Sequence, residues 1–205
     1  MSPLCTIIIP TYNRSKLIHE RALKSALAQT YQNKEIIVVN DGSKENYNIS
    51  GVRYFKPWLK NRGGSAARNY GLKQAKGEYI VFIDDDNMLD PTFLEKTIPF
   101  IEYGYSAITT GRIIQYPEYQ NKALPRIDTR FPAIDWGWLI RREVFDKIQY
   151  DESIWGDEDA DFGIQFAKEF SWNVLDKYLQ TAYAPAASEE VTSNTYPNER
   201  RLRGL

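Results

Sequence analysis

The sequence predicts an α/β protein, a single mostly parallel sheet flanked by helices, and three observations predict it. Residues 5–10, 35–40 and 79–83 are short, almost wholly apolar, β-branched runs, which is how strands buried on both faces read. Between the first two runs, Leu23 and Leu27 with Ala22 and Ala26 make one apolar face at helical spacing. Polar or acidic clusters then stand just past these runs, as Thr11-Tyr12-Asn13-Arg14, Asp41-Gly42-Ser43 and Asp84-Asp85-Asp86. Open α/β sheets bind ligands beyond the carboxyl ends of their strands.

In chain order, Pro10 ends the first strand and Ser15 is the expected N-cap of a helix over 16–29. The second strand follows over 35–40, and right-handed crossover makes the two strands parallel neighbours. The first β-α turn holds no glycine, which argues against a dinucleotide fingerprint and against a P-loop. Residues 52–55 read as a short third strand. Asn61-Arg62-Gly63-Gly64-Ser65 is a Gly-rich entry to a helix through Gln74. Gly77 turns into the next buried strand, and Asp90-Pro91 has the pattern of an N-cap and first helical residue. Phe93, Leu94, Ile98 and Ile101 mark that helix's apolar face, with Pro99 expected to kink or shorten it.

Residues 107–116 read as another strand, 117–132 as a long excursion rich in Pro, Tyr and charge, and 136–141 as a return to strand. A short helix over 142–148 comes next. Asp157 is the expected N-cap of a helix anchored by Phe162, Phe166 and Phe170 at four-residue spacing. Residues 172–176 are expected as a late edge strand and 181–187 as extended, Pro-broken chain. This gives one domain over 1–187 and a polar tail over 188–205. The default for such a tail is a solvated terminus, and a basic flap over a phosphate, from Arg200, Arg201 and Arg203, is the alternative.

Bulk composition narrows the function classes. A chain of 205 residues, 42% hydrophobic, is long enough for one well-buried core and short for two. A net charge of −1 gives no basic excess and so no sign of a nucleic-acid binder. The lone cysteine, Cys5, excludes an internal disulfide and sits in an apolar run, which suits a structural thiol in a reducing compartment. No run approaches a membrane span or the apolar core of a signal peptide. The expectation is a cytoplasmic protein, with peripheral contact to a membrane surface left open.

Two acidic clusters carry the chemistry. Asp84-Asp85-Asp86 packs like charges at the end of a buried strand, which is unfavourable unless a cation offsets the repulsion. Hard oxygen ligands suit Mg²⁺ or Mn²⁺, and Mg²⁺ is commonly held by one or two carboxylates plus substrate phosphates. The bland alternative is a solvated acidic turn. Asp157-Glu158-Asp159-Ala160-Asp161 stands in the first turn of a helix, where the dipole favours negative charge and should lower the carboxylate pKa values. Each could then accept a proton and none is prepared to donate one. Simple helix capping explains the same pattern.

Four patterns occur together in order: Ile7-Ile8-Ile9-Pro10-Thr11-Tyr12-Asn13-Arg14, then residues 35–43, then Asn61-Arg62-Gly63-Gly64-Ser65-Ala66-Ala67-Arg68-Asn69 running into residues 77–86, then Gly156-Asp157-Glu158-Asp159-Ala160-Asp161-Phe162. Together they resemble the family 2 glycosyltransferases, inverting enzymes of the GT-A fold, over about residues 4 to 170. The resemblance implies a nucleotide-diphosphate-sugar donor, UDP-sugar favoured, and a glycan, lipid-linked or protein acceptor. It places Pro10, Thr11, Tyr12 and Arg14 in the first donor loop, Asp41 on the nucleotide base, and Arg68 near the nucleotide and the acidic turn. It puts the DXD-type motif on Asp84, Asp85 and Asp86. Asp86, with Asp84, would bind Mn²⁺ or Mg²⁺ at the diphosphate, and Asp85 would face the ribose or the metal shell. Its Glu-Asp pair falls on Glu158 and Asp159, with Asp159 the implied general base. The sequence departs from the commonest form at Asn87, and its only histidine, His19, lies in the first helix, so a C-terminal histidine ligand is not available.

Tyr116, Tyr119, Trp136 and Trp138 cluster around the excursion and the return strand, as candidate acceptor contacts or as core. Other enzyme classes fit less well. A haloacid-dehalogenase-type phosphatase wants Thr or Val where Met88 stands, and a nucleotidyltransferase wants a Gly-rich loop after the first strand. A binding module without turnover is the non-enzyme alternative, and the intact Glu158-Asp159 pair argues against it.

Overall fold

The computed structural model describes residues 2–47, 49–115, 120–123, 127–128, 131–132 and 134–183. In chain order the elements are β1 (Cys5–Thr11), α1 (Ser15–Glu20), α2 (Ala22–Leu27), β2 (Lys34–Asn40), β3 (Arg53–Phe55), α3 (Gly64–Gln74), β4 (Tyr79–Phe82), β5 (Met88–Leu89), α4 (Phe93–Ile101) and β6 (Ala107–Gln115). β7 (Gln120–Ala123), β8 (Ile127–Asp128), β9 (Phe131–Pro132), β10 (Leu139–Arg141), a 3-10 turn (Arg142–Asp146), α5 (Glu158–Ala167) and β11 (Trp172–Tyr183) complete them.

The main sheet runs β3-β2-β1-β4-β10-β6-β11-β5, with β7 paired to β6. β1, β2, β3 and β4 are parallel, β10 is antiparallel to both β4 and β6, and β11 is parallel to β6. The expected mixed, mostly parallel sheet is therefore the one observed. Alternate residues of each strand feed two apolar layers. Ile7, Ile9, Ile36, Val38 and Val81 pack with α1, α2 and α4, whereas Ile8, Ile37, Val39, Ile80 and Phe82 pack with α3, α5 and the 3-10 turn. Burial on both faces explains why these strands are nearly continuous in hydrophobicity.

Several boundaries differ from the sequence expectation, each for a local reason. β1 continues through Pro10 to Thr11. β4 pairs with β1 only as far as Ile8, so the missing N–H of Pro10 disturbs no ladder on that side. The first helix is two helices, broken at Arg21 (φ −122°, ψ −90°). The break aims the Arg21 guanidinium at the Asp86 carbonyl (3.1 Å) and over the Tyr183 ring (3.9 Å). Ser15 is the first helical residue, and its hydroxyl donates to Glu45 instead of capping. α4 starts at Phe93, because Asp90 Oδ1 accepts from the Thr92 backbone N–H (2.8 Å) in a turn before the helix. Pro99 is tolerated within α4, which runs on to Ile101. Of residues 136–141 only 139–141 are strand, and the short helix after them is a 3-10 turn.

β11 runs further than expected. Over Trp172–Leu175 it pairs only with β6 among the described residues, the edge position expected, and it takes β5 on its other side only at Gln180 and Thr181. Irregularities between Leu175 and Gln180 interrupt its register, and Asp176-Lys177 interrupts its alternation, which conceals that the strand continues to Tyr183. The tail over 188–205 lies outside the described residues.

Candidate active site

The clusters read from the sequence meet at one edge of the sheet. Thr11 ends β1 and Arg14 follows it, Asp41 follows β2, Asp84-Asp85-Asp86 follow β4, and the N-termini of α3 and α5 close the far side.

Two arginines compensate the acidic triplet. Arg14 Nη1 lies 2.9 Å from Asp85 Oδ1 and 2.9 Å from Asp86 Oδ2. Asp85, expected toward the ribose or the metal shell, is buried. Its Oδ2 accepts the Thr11 hydroxyl at 2.7 Å and its Oδ1 accepts from Arg14, contacts that tie the turn to the end of β1. Asp84 Oδ1 pairs with Arg68 Nη2 at 3.0 Å.

Arg68, buried on α3, ties this turn to the second acidic cluster. Its Nη1 reaches Glu158 Oε1 at 3.3 Å, and its Nη2 stands 4.0 Å from Asp159 Oδ1. The entry to α3 is shaped for this. A β-carbon on Gly64 would lie 2.8 Å from Arg68 Nη1 and 3.1 Å from Glu158 Oε1. Glu158 is held twice, because its Oε2 also accepts the Gly156 N–H at 2.7 Å. Asp159 is held less: its Oδ1 is enclosed without a hydrogen-bond partner, while the side chain as a whole is 34% exposed. Oδ2 is thus the oxygen left to face the cleft. Asp157 occupies the N-cap position but makes no side-chain capping bond.

Electrostatics overturn one expectation. The Asp159 pKa is not lowered by the helix terminus. Burial pushes it up to about 7, with Arg68 opposing and Asp84, Asp135 and Glu158 adding to the rise. Asp84 rises to about 6 through burial, against the pull of Arg68.

Asp41, placed on the nucleotide base by resemblance, has both oxygens engaged by the loop that opens α3. Oδ1 accepts the Arg62 N–H (2.9 Å), and Oδ2 accepts the Gly63 N–H (2.8 Å) and Asn61 Nδ2 (2.9 Å). Burial nevertheless raises its pKa to about 6. Tyr12 is half-buried in the loop between Thr11 and Arg14.

Trp136 and Trp138 do not line an acceptor surface, being 4% and 1% exposed. Gly137 stands between them at φ 75° and sends them to opposite apolar layers. A β-carbon there would also meet the Gln180 side chain at 2.3 Å. Both tryptophans are core residues. Tyr116 and Tyr119 lie outside the described residues.

Sequence reading missed Asp135 and Tyr150. Asp135 forms an ion pair with Arg112 and adds its charge to the field on Asp84 and Asp159. Tyr150 lies under Arg68, with the guanidinium 5.4 Å from the ring centre. Neither residue stands in a patterned run, so no local signal marks them.

Among the described residues no group of three or more His, Cys, Asp or Glu is placed to hold a metal by itself. Asp84 and Asp86 offer hard oxygens, each on a side chain 32% exposed. That donor set fits a cation completed by substrate phosphates and does not make an all-protein cage.

The α/β sheet with acidic turns at its ligand-binding edge accords with the resemblance drawn from the sequence, and comparison with known proteins gives the family. Residues 6–154 match Glycosyl transferase family 2, and the chain belongs to that family. An uncharacterized glycosyltransferase of Haemophilus influenzae is 37% identical over 214 residues, covering 95% of this chain and 84% of that protein. One from Rickettsia felis is 44% identical over 104 residues, which cover 47% of this chain and only 17% of that relative. Staphylococcus aureus TarS 1-349, solved in complex with UDP-GlcNAc, superposes with a TM-score of 0.76 at 22% identity, covering 95% of this chain and 62% of that one. The fold is accordingly that of the GT-A glycosyltransferases.

Proposed function

We propose that this chain is an inverting sugar transferase. Its donor is a nucleotide-diphosphate sugar, with uridine diphosphate as the favoured carrier, and its acceptor is a hydroxyl of a glycan, lipid-linked or protein molecule. The observation that carries this reading is the Arg68 bridge, which joins Asp84 at the end of β4 to Glu158 and Asp159 at the start of α5. One charged side chain thereby sets a leaving-group site and a base site side by side. The solution of TarS with UDP and with UDP-GlcNAc supports the donor class.

Direct displacement needs two separate carboxylate functions. Asp86 and Asp84 would hold Mn²⁺ or Mg²⁺, which supplies Lewis-acid stabilisation of the departing diphosphate. Asp159 takes the proton of the acceptor hydroxyl as that oxygen attacks the anomeric carbon, from the face opposite the diphosphate. Glu158 is less suited, because Arg68 and the Gly156 N–H already occupy its oxygens. Inversion follows from a single displacement.

No described helix is long and apolar enough to cross a membrane, and the lone cysteine is buried. A cytoplasmic setting, with the acceptor met in solution or at a membrane surface, belongs to the same proposal.

Calorimetry of UDP binding with and without Mn²⁺ tests the donor and metal assignments. Binding is expected to strengthen with Mn²⁺, and Asp86→Ala is expected to remove most of that gain. Equal UDP affinity in both conditions for the native protein would overturn the metal assignment.

A further inference from the structure

Arg68 Nε, Tyr150 OH and Asp159 Oδ1 are enclosed polar atoms without a hydrogen-bond partner. They belong to one neighbourhood. The Arg68 guanidinium lies over the Tyr150 ring at 5.4 Å, and its Nη2 is 4.0 Å from Asp159 Oδ1. Folded proteins seldom leave such groups unpaired. Two donors and one acceptor on neighbouring side chains are the kind of set that a buried water bridges.

Tyr150 is held more rigidly than packing alone requires. Asn69 Nδ2 donates to its carbonyl at 2.8 Å, and its own N–H donates to Asn69 Oδ1 at 3.2 Å. The ring stacks on Phe162 (4.5 Å, 16°) and stands edge-on to Phe82 (5.5 Å, 89°). Phe162 is on α5, the helix that carries Asp159, and Asn69 adjoins Arg68 on α3. An aromatic core position needs only the ring. A hydroxyl buried there is unfavourable unless something uses it.

Resting on the reading of Asp159 as the base, we infer that Tyr150 is a positioning residue for it. Through one buried water, the Tyr150 hydroxyl donates toward Asp159 Oδ1 and turns Oδ2 toward the acceptor hydroxyl. Burial raises the phenol pKa, with Arg68 opposing and Asp159, Asp84 and Asp135 reinforcing the rise. The group therefore remains a donor throughout the working range.

Tyr150→Phe removes the hydroxyl and keeps the ring, and UDP release from UDP-GlcNAc with Mn²⁺ reads the effect. The expected result is a fall in kcat of about ten-fold, with the donor KM and UDP affinity unchanged and the Tm not raised. Adding the substitution to Asp159→Asn should cost little more. Wild-type kcat together with a raised Tm would show an idle hydroxyl and overturn the inference. Near-native turnover by Asp159→Asn alone would instead remove the base reading, and the inference with it. A cycle independent of turnover uses urea unfolding of Tyr150→Phe, Asp159→Ala and the double variant. Non-additive midpoints support the contact, and strict additivity opposes it.

Discussion

At the scale of single residues, the site depends on which carboxylates Arg68 reaches. One guanidinium faces Asp84, Glu158 and Asp159, so the cluster carries more negative than positive charge in a buried place. Asp159, the least hydrogen-bonded of the three, bears the consequence, and its pKa rises to about 7 through burial and neighbouring like charge. A carboxylate works as a base only when ionised, and with a raised pKa the ionised fraction grows as pH rises. UDP release should therefore climb from about pH 5.5 and level off above about pH 8. Asp159→Asn keeps the shape and removes the basicity. It is expected to lower turnover by roughly 10² to 10⁴, to abolish the acidic limb of the profile, and to leave UDP affinity intact. Turnover that is flat with pH in the native enzyme would contradict the assignment.

At the scale of elements, two helix starts and three strand ends build the cleft, and α3 is the most constrained of them. Its opening loop is tied to Asp41 through three hydrogen bonds, which fixes where Gly64 begins the helix. Alanine normally favours a helix over glycine by roughly 0.5–1 kcal/mol. At Gly64 the added carbon would press on Arg68 Nη1 and Glu158 Oε1. Gly64→Ala should thus separate stability from activity, with urea unfolding unchanged or slightly improved and UDP release reduced several-fold. Parallel loss of both would mean that the helix start itself had moved. The break between α1 and α2 has a related use, since it brings Arg21 to the Asp86 carbonyl and so braces the acidic turn from the other side.

At the scale of the whole molecule, the sheet separates two apolar layers, and the return segment before β10 contributes to both. Trp136 joins the layer under α2 and α4, and Trp138 joins the layer under α3 and α5. The left-handed turn at Gly137 makes this possible, because residues two apart in a strand would face the same side. Trp138→Ala is expected to cost about 3–5 kcal/mol in urea unfolding. A folded variant of native stability with lost acceptor affinity would restore the acceptor reading that its burial opposes.

Legible in the sequence are the strand runs over 5–10, 35–40 and 79–83, the helix that follows the Gly-rich entry at 61–65, and the acidic turns past the strands. These are legible because burial on two faces leaves continuous apolar runs, and because turn and helix-start residues act over a few positions. The ordered motifs likewise sufficed for the family. Only the fold decides that β11 continues to Tyr183 and takes β5 near its end, that Trp136 and Trp138 are core, that Asp85 is buried, and that the Asp159 pKa is raised and not lowered. Each of these depends on partners far along the chain. Arg68 meets Asp84 across 16 positions and Glu158 across 90, and Thr11 meets Asp85 across 74. Burial and the surrounding charges set a pKa, and both are properties of the assembled neighbourhood. A carboxylate at a helix start reads as stabilised from its own helix, and only the fold adds the walls and the other acids that reverse the sign.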